Sequence, residues 1–105
     1  MNQRIWIATA LALTLTAPAA AWAGGKDIFL DKGCNNCHSI STQGIEGGNP
    51  DAPDLAAVGS RQDAEFLSGF LRKKSAKPDG TMHMIKFAGT KEEYVELIDW
   101  LMSLK

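Results

Sequence analysis

Cys34-Asn35-Asn36-Cys37-His38 is the stretch of this 105-residue sequence that decides its fold. It has the spacing C-x-x-C-H, which is typical of covalent haem attachment. Two thiols three positions apart can add to the two vinyl groups on one edge of a haem. The next residue is then held under the porphyrin, where an imidazole nitrogen can bind the iron. The motif therefore predicts one haem c, with Cys34 and Cys37 as the covalent links and His38 as the proximal iron ligand.

Three other uses of the same five residues are weaker. A zinc site usually takes four ligands from two separated pairs, and no second Cys pair or His-x-x-x-His follows. A dithiol redox motif would sit at the end of a strand in a βαβ pattern, and no such pattern surrounds it. A disulfide between the two cysteines would close a very short loop and constrain little of the chain. Haem attachment is the interpretation that uses all three functional residues.

The N-terminus has the features of a secretory signal peptide. Arg4 supplies a positive charge, residues 5–17 are a run of apolar residues and threonines, and Ala21-Trp22-Ala23 is a small-x-small cleavage pattern. The run is shorter than the about 20 residues that cross a bilayer, so cleavage after Ala23 is favoured over a membrane anchor. We therefore expect residues 1–23 to be removed and residues 24–105 to form one small domain.

The net charge of the chain bears on whether nucleic acid is a binding partner. The chain has 11 Lys and Arg against 12 Asp and Glu, a formal net charge of −1. A nucleic-acid-binding domain is normally strongly basic, so no nucleic-acid partner is expected. The balance says little about which proteins the chain contacts.

The hydrophobic pattern predicts two helices at the ends of the domain. The C-terminal helix begins with Thr90-Lys91-Glu92-Glu93, which has the form of a capping box. Its apolar residues follow at helical spacing and form one broad face: Tyr94, Val95, Leu97, Ile98, Trp100, Leu101, Met102 and Leu104. A shorter helix covers residues 26 to about 33, where Gly33 is a natural stop before the haem motif.

A middle helix is predicted to begin after Ser60, because Ser60-Arg61-Gln62-Asp63 resembles another capping box. Its apolar face is Phe66, Leu67, Phe70 and Leu71. Three basic residues, 72–74, would lie in its last turn, where positive charge suits the helix dipole. Since no stretch alternates like a strand, the fold class is all-α, with three or more short helices.

Two long loops separate these helices, at residues 39–53 and 75–89, and each is interrupted by Gly and Pro. Loops of this length are unusual in a small domain unless they have a function, and wrapping around a haem is such a function. The second loop contains Met82, His83 and Met84, the candidates for the second axial ligand. A methionine sulphur there favours ferrous iron and suits electron transfer.

The sequence resembles the small bacterial class I cytochromes c over residues 25–105. In that family the distal methionine precedes an x-Lys-Phe-like segment, then a glycine and the acidic start of the last helix. Met84-Ile85-Lys86-Phe87, followed by Gly89 and Glu92-Glu93, has that order, with Ile85 where proline is usual. The resemblance implies that Met84 is the distal iron ligand, with Met82 as second choice and His83 as third.

The resemblance also implies a cytochrome c fold, in which short helices and long loops wrap around one covalently attached haem. Pro53 matches the proline whose carbonyl accepts a hydrogen bond from the proximal histidine, here His38, and such a bond orients the ring. Gly25 and Phe29 match the point where the first helix crosses the last, beside Trp100.

These features predict an electron-transfer protein, not an enzyme. Haem is attached outside the cytoplasm in this family, which agrees with export to the periplasm. The expected partners are redox proteins, namely a periplasmic or membrane-bound dehydrogenase, oxidase or reductase, and the chain would be a monomer or a subunit of a redox complex. One alternative is the haem c subunit of a periplasmic dehydrogenase complex, such as one oxidising sulfur compounds. A ligand-binding haem sensor or a peroxidase would need a vacant sixth iron position.

A domain this small buries too little apolar surface to be stable by itself, and the haem would complete its core. We therefore expect the haem-free protein to be poorly folded. Far-UV circular dichroism would test this, because the helical signal should be far weaker without haem than with it. Native helix content in the haem-free chain would contradict the prediction.

Overall fold

The computed structural model describes residues 24–105, so the signal peptide predicted for residues 1–23 lies outside the described residues. The described part contains four α-helices: α1 (Gly25–Asp31), α2 (Val58–Arg61), α3 (Ala64–Phe70) and α4 (Lys91–Met102). Single 3₁₀ turns occur at Cys34–Asn36 and Ser41–Gln43. Between residues 24 and 105 the only strand-like pairing is one isolated bridge, Ile40 with Ile45. The all-α prediction is confirmed.

Helices α1 and α4 pack against each other and bring the two ends of the described chain together. The Phe29 ring lies 5.7 Å from the Trp100 ring, centre to centre. Gly25 is buried at the crossing, where a Cβ atom would overlap the Trp100 side chain and the carbonyl oxygen of Glu96. The two backbones can approach this closely because glycine has no side chain.

The start of α4 follows the predicted capping box. The amide of Glu93 donates to Thr90 Oγ1 at 3.1 Å, and the amide of Thr90 donates to Glu93 Oε1 at 2.9 Å. Lys32, just after α1, lies 3.5 Å from the same carboxylate. Val95 was predicted to lie on the buried face but is 48% exposed. One residue along a helix turns the side chain by about 100°, which takes Val95 away from buried Tyr94.

The predicted start of the middle helix is wrong. Ser60 lies inside α2, and α3 begins only at Ala64, with Asp63 as its N-cap. Asp63 Oδ1 accepts a hydrogen bond from the amide of Phe66 at 2.7 Å. A carboxylate at this position satisfies a free amide of the first turn, so the helix begins at the aspartate rather than at the serine.

The predicted end of that helix is also wrong. Helix α3 ends at Phe70, so the three basic residues 72–74 lie beyond it instead of in its last turn. Lys73 has a φ of 59°, in the left-handed region that residues with side chains rarely adopt. The chain therefore turns sharply here and enters the second long loop, which contains no helix or strand over residues 75–89.

One hydrophobic core holds the helices together. The buried residues of the described chain that form it are Ile28, Phe29, Ile40, Val58, Leu67, Tyr94, Leu97, Ile98, Leu101 and Leu104. The end of the chain is tied in as well, because the amide of Gly59 in α2 donates to the carbonyl of Leu104 at 2.7 Å. Among residues 24–105 no helix is long and apolar enough to cross a membrane.

Substitution Gly25→Ala should separate α1 from α4 and destabilise the protein by about 1–3 kcal/mol, the usual cost of overpacking. The loss should appear even though alanine is the better helix former. Denaturant unfolding of the haem-loaded protein would measure it. Gly24→Ala is the matched control, because a Cβ there has nothing within 4 Å. Equal midpoints for the two variants would contradict the proposed close approach.

Candidate haem site

A cavity of about 1120 Å³ opens beside the C-x-x-C-H motif. Its volume is slightly above the roughly 300–1,000 Å³ typical of cofactor sites. Apolar side chains from all four helices contribute to its wall, among them Phe29, Val58, Leu67, Phe70 and Leu97. Both cysteines and His38 line it, and so do Met82, His83 and Met84 of the second loop. The cavity therefore brings the motif and the candidate distal ligands to one place.

The motif follows α1 after one sharp turn. Gly33 has a φ of 74°, a left-handed conformation that glycine adopts without strain. The chain then makes the 3₁₀ turn Cys34–Asn36, and the amides of Cys37 and His38 both donate to the carbonyl of Cys34, at 3.2 and 2.9 Å. This tight turn places the two sulphurs and the imidazole on the cavity wall.

The first long loop supports the backbone of the motif. The amide of Gly48 donates to the carbonyl of Asn36, and the amide of Asn49 to that of Cys37, both at 3.2 Å. Gly47 lies so close that a Cβ atom would overlap the backbone of Cys37 and His38. Sequence reasoning missed this support. The glycine pair at 47–48 was a signal for it, because paired glycines often mark a close approach of two backbones.

The imidazole of His38 is held by the same loop. Its Nδ1 lies 2.8 Å from the carbonyl oxygen of Pro53. A carbonyl only accepts hydrogen bonds, so Nδ1 carries the proton and donates it. In the neutral imidazole this leaves Nε2 as the nitrogen with a free lone pair, which can bind a metal ion.

Asp54 stabilises the loop that carries Pro53. Its Oδ1 accepts hydrogen bonds from the amides of Ser41 at 3.1 Å and Ala56 at 2.9 Å. These bonds, led by the one from Ser41, hold the pKa of the Asp54 carboxyl below its usual value. Arg61 Nη2 donates to the carbonyl of Asp54 at 3.0 Å. The Pro53 carbonyl is thus part of a braced turn rather than a free loop.

The three candidate distal ligands are placed very differently. The side chain of Met84 is 85% exposed and that of Met82 is 42% exposed. His83 is half-buried, and its ring is nearly parallel to that of His38, at 6° and 6.1 Å between ring centres. The assignment of Met84 as distal ligand stays a prediction. His83 is the candidate whose ring lies parallel to the ring of His38.

The residues around the cavity fit a covalently bound haem. Cys34 and Cys37 are not joined in a disulfide. Burial raises the pKa of the Cys34 thiol, since the charged thiolate is disfavoured away from water. Across residues 24–105, no group of three or more His, Cys, Asp or Glu side chains is arranged to hold a metal ion. An apolar cavity with two free thiols and an imidazole suits a large flat apolar cofactor.

Comparison with known proteins agrees with this fit. The family model for cytochrome c matches residues 22–105, which include every residue of the cavity. The chain is similar to cytochrome c-551 of Ectopseudomonas mendocina, with 32% identity over 85 residues, which cover 79% of this chain and 100% of that protein. Among solved structures, none matches the chain significantly.

Asp54→Asn should change how stability depends on pH. A lowered native pKa means that the carboxylate contributes stability above its unfolded pKa, and that this contribution is lost as the pH falls through the lowered native pKa. Between neutral pH and about pH 3, the wild type should therefore lose more stability than the variant, whose amide oxygen still accepts hydrogen bonds. Denaturant unfolding at a series of pH values measures this. Parallel pH profiles would contradict the prediction.

Proposed function

The chain belongs to the cytochrome c family, whose members bind haem c covalently and transfer electrons, and from this we propose that it is a one-electron carrier of the periplasm. The observation that supports the proposal most strongly is the joint placement of Cys34, Cys37 and His38 on one large apolar cavity. The signal peptide predicted for residues 1–23 supports the location.

In this proposal the sulphurs of Cys34 and Cys37 hold the haem, and Nε2 of His38 binds its iron. The hydrogen bond from Nδ1 of His38 to the Pro53 carbonyl keeps the ring oriented and makes it a stronger ligand. Met84 of the second loop would supply the other iron ligand, with Met82 as the second choice. The protein would then supply both ligands to the iron.

The bound iron supplies the redox chemistry, because it accepts and releases one electron at a time. The chain contributes the surroundings. Phe29, Leu67 and Leu97 keep water away from the centre of the site. The braced Pro53 turn and the 3₁₀ turn of the motif hold the ligands still, so that little rearrangement accompanies the gain or loss of an electron.

Electrons would enter and leave where the second loop opens the cavity to solvent, through brief docking with redox proteins. Contacts of this kind typically bury less than about 1,200 Å². The candidate docking charges are exposed Lys86, which lines the cavity, and exposed Lys74, which follows α3. Two neighbouring lysines are engaged within the chain: Lys73 donates to the Met84 carbonyl at 3.4 Å, and Lys32 pairs with Glu93.

The test is to isolate the protein from the periplasmic fraction and to record its pyridine haemochrome spectrum and a redox titration. We expect one haem per chain that acid–acetone does not extract, and a single reversible one-electron transition. Cys34→Ala and Cys37→Ala should each leave a single thioether bond and therefore shift the haemochrome band. The band of the wild-type protein is the control. Absence of covalent haem would refute the proposal.

The same preparation separates the carrier from its alternatives. A carrier should purify as a free chain, and its ferrous form should bind carbon monoxide slowly because an axial ligand must leave first. Purification in constant ratio with a larger catalytic chain would instead indicate a subunit of a dehydrogenase complex. Rapid carbon monoxide binding at neutral pH would indicate a sensor or a peroxidase.

A further inference from the structure

We propose that Lys73 is a positioning residue, whose ammonium group holds the segment 82–86 of the second loop against the end of α3. The inference rests on the proposed function in taking that loop as the source of the second iron ligand. It deepens the proposed function by naming a residue outside the cavity wall that keeps the ligand-bearing segment in place. It applies to Met84 and to Met82 alike.

The turn that closes α3 is the first observation. The amide of Lys74 donates to the carbonyl of Gly69 at 2.8 Å, and the amide of Lys73 donates to that of Phe70 at 3.1 Å. Together with the φ of 59° at Lys73, these two bonds form a Schellman motif, in which glycine is the usual left-handed residue. In residues 24–105 Lys73 is the only residue other than glycine with a positive φ. A strained lysine at a glycine position indicates that its side chain has a function.

The Lys73 side chain reaches the second loop. Its Nζ donates to the backbone carbonyl of Met84 at 3.4 Å. The donor is charged, and such hydrogen bonds are stronger than those between neutral groups. Because the acceptor is a backbone atom, the bond restrains the path of the chain and not the direction of the methionine side chain. A glycine at position 73 would suit the turn better but could not make this contact.

The turn is itself held against the helical core. The guanidinium carbon of Arg72 lies 4.0 Å from the ring centre of Tyr94, a buried residue of α4. A cation over an aromatic face is attracted by the electrons of the ring. On the other side, Gly69 lies so close to Ser75 that a Cβ atom would overlap the serine hydroxyl. These contacts fix the backbone from which the Lys73 side chain extends.

The same turn holds the loop at a second point. The carbonyl of Leu71 accepts a hydrogen bond from the amide of Phe87 at 2.8 Å. The Phe87 ring packs against Tyr94, with 5.0 Å between ring centres. Lys73 extends this attachment three residues back along the loop, to Met84. Residues 84 and 87 are thus both bonded to the turn 71–73.

A loop held at two points should open less often than one held at a single point. Carbon monoxide reaches the iron only while the loop ligand has left it, so its binding rate reports how often the segment 82–86 opens. Loss of one hydrogen bond should raise the open fraction about three- to tenfold. Lys73 would thereby keep small molecules from the iron, which favours electron transfer over ligand binding.

The experiment measures carbon monoxide binding to the ferrous, haem-loaded protein, together with denaturant unfolding of the same samples. Lys73→Met removes the ammonium group and should bind about three to ten times faster than wild type. Lys73→Arg keeps a charged donor and should stay near the wild-type rate. Lys74→Met is the matched control, because it removes the same charge from the exposed neighbouring residue and should leave the rate unchanged.

Lys73→Gly distinguishes positioning from a merely structural role. Glycine adopts the positive φ without strain, so the unfolding midpoint of this variant should equal or exceed that of wild type. Its carbon monoxide binding should nevertheless be faster, as in Lys73→Met. A faster rate without a loss of stability is the result that a local attachment predicts and that a general loosening of the fold does not.

Three results would overturn the role of Lys73. These are rates in Lys73→Met and Lys73→Gly equal to that of Lys74→Met, a Lys73→Gly midpoint that falls as its rate rises, and rapid binding already in the wild type. The pyridine haemochrome spectrum keeps the two proposals apart. Covalent haem with equal rates in all variants would refute the role of Lys73 alone, whereas absence of covalent haem in wild type would refute the proposed function.

Discussion

The close crossing of α1 and α4 is the constraint on which the rest of the structure depends. Gly25 lets the two helices approach until the backbone of one touches the side chain of Trp100 on the other. The haem motif begins only three residues after α1 ends, so fixing α1 against α4 also fixes where Cys34 faces. The amide of Gly59, bonded to the carbonyl of Leu104, then ties α2 to the same helix. One helix pair thus positions much of the cavity wall.

The two histidine rings of the cavity, by contrast, are positioned by loops. His38 is oriented by the Pro53 turn, which Asp54 braces through the amides of Ser41 and Ala56. Neither histidine ring depends on a helix for its hydrogen bond; each uses a backbone carbonyl of an irregular segment. Helices provide the apolar wall, and the loops provide the directional hydrogen bonds that orient the two rings. This explains why a small domain contains such long stretches without regular structure.

Features carried by a few adjacent residues were predictable from the sequence. The haem motif and the capping box of α4 are of this kind, because their chemistry is complete within five residues or fewer. The start of α3 was predicted wrongly because Ser60 and Asp63 can both cap a helix, and it is the Asp63 carboxylate that accepts the hydrogen bond from the amide of Phe66. The direction of His83 could not be predicted, since residues in an irregular loop have no periodicity to indicate which side chain points inward.

The burial of Cys34 bears on the order in which the protein is made. Once the chain is folded, a free thiol at this position has a raised pKa and ionises less readily. It also lies in a turn whose backbone is hydrogen-bonded to the first long loop. Haem attachment is therefore easier while the chain is still unfolded. The polypeptide would close around a cofactor that is already tethered, so assembly and folding become a single event.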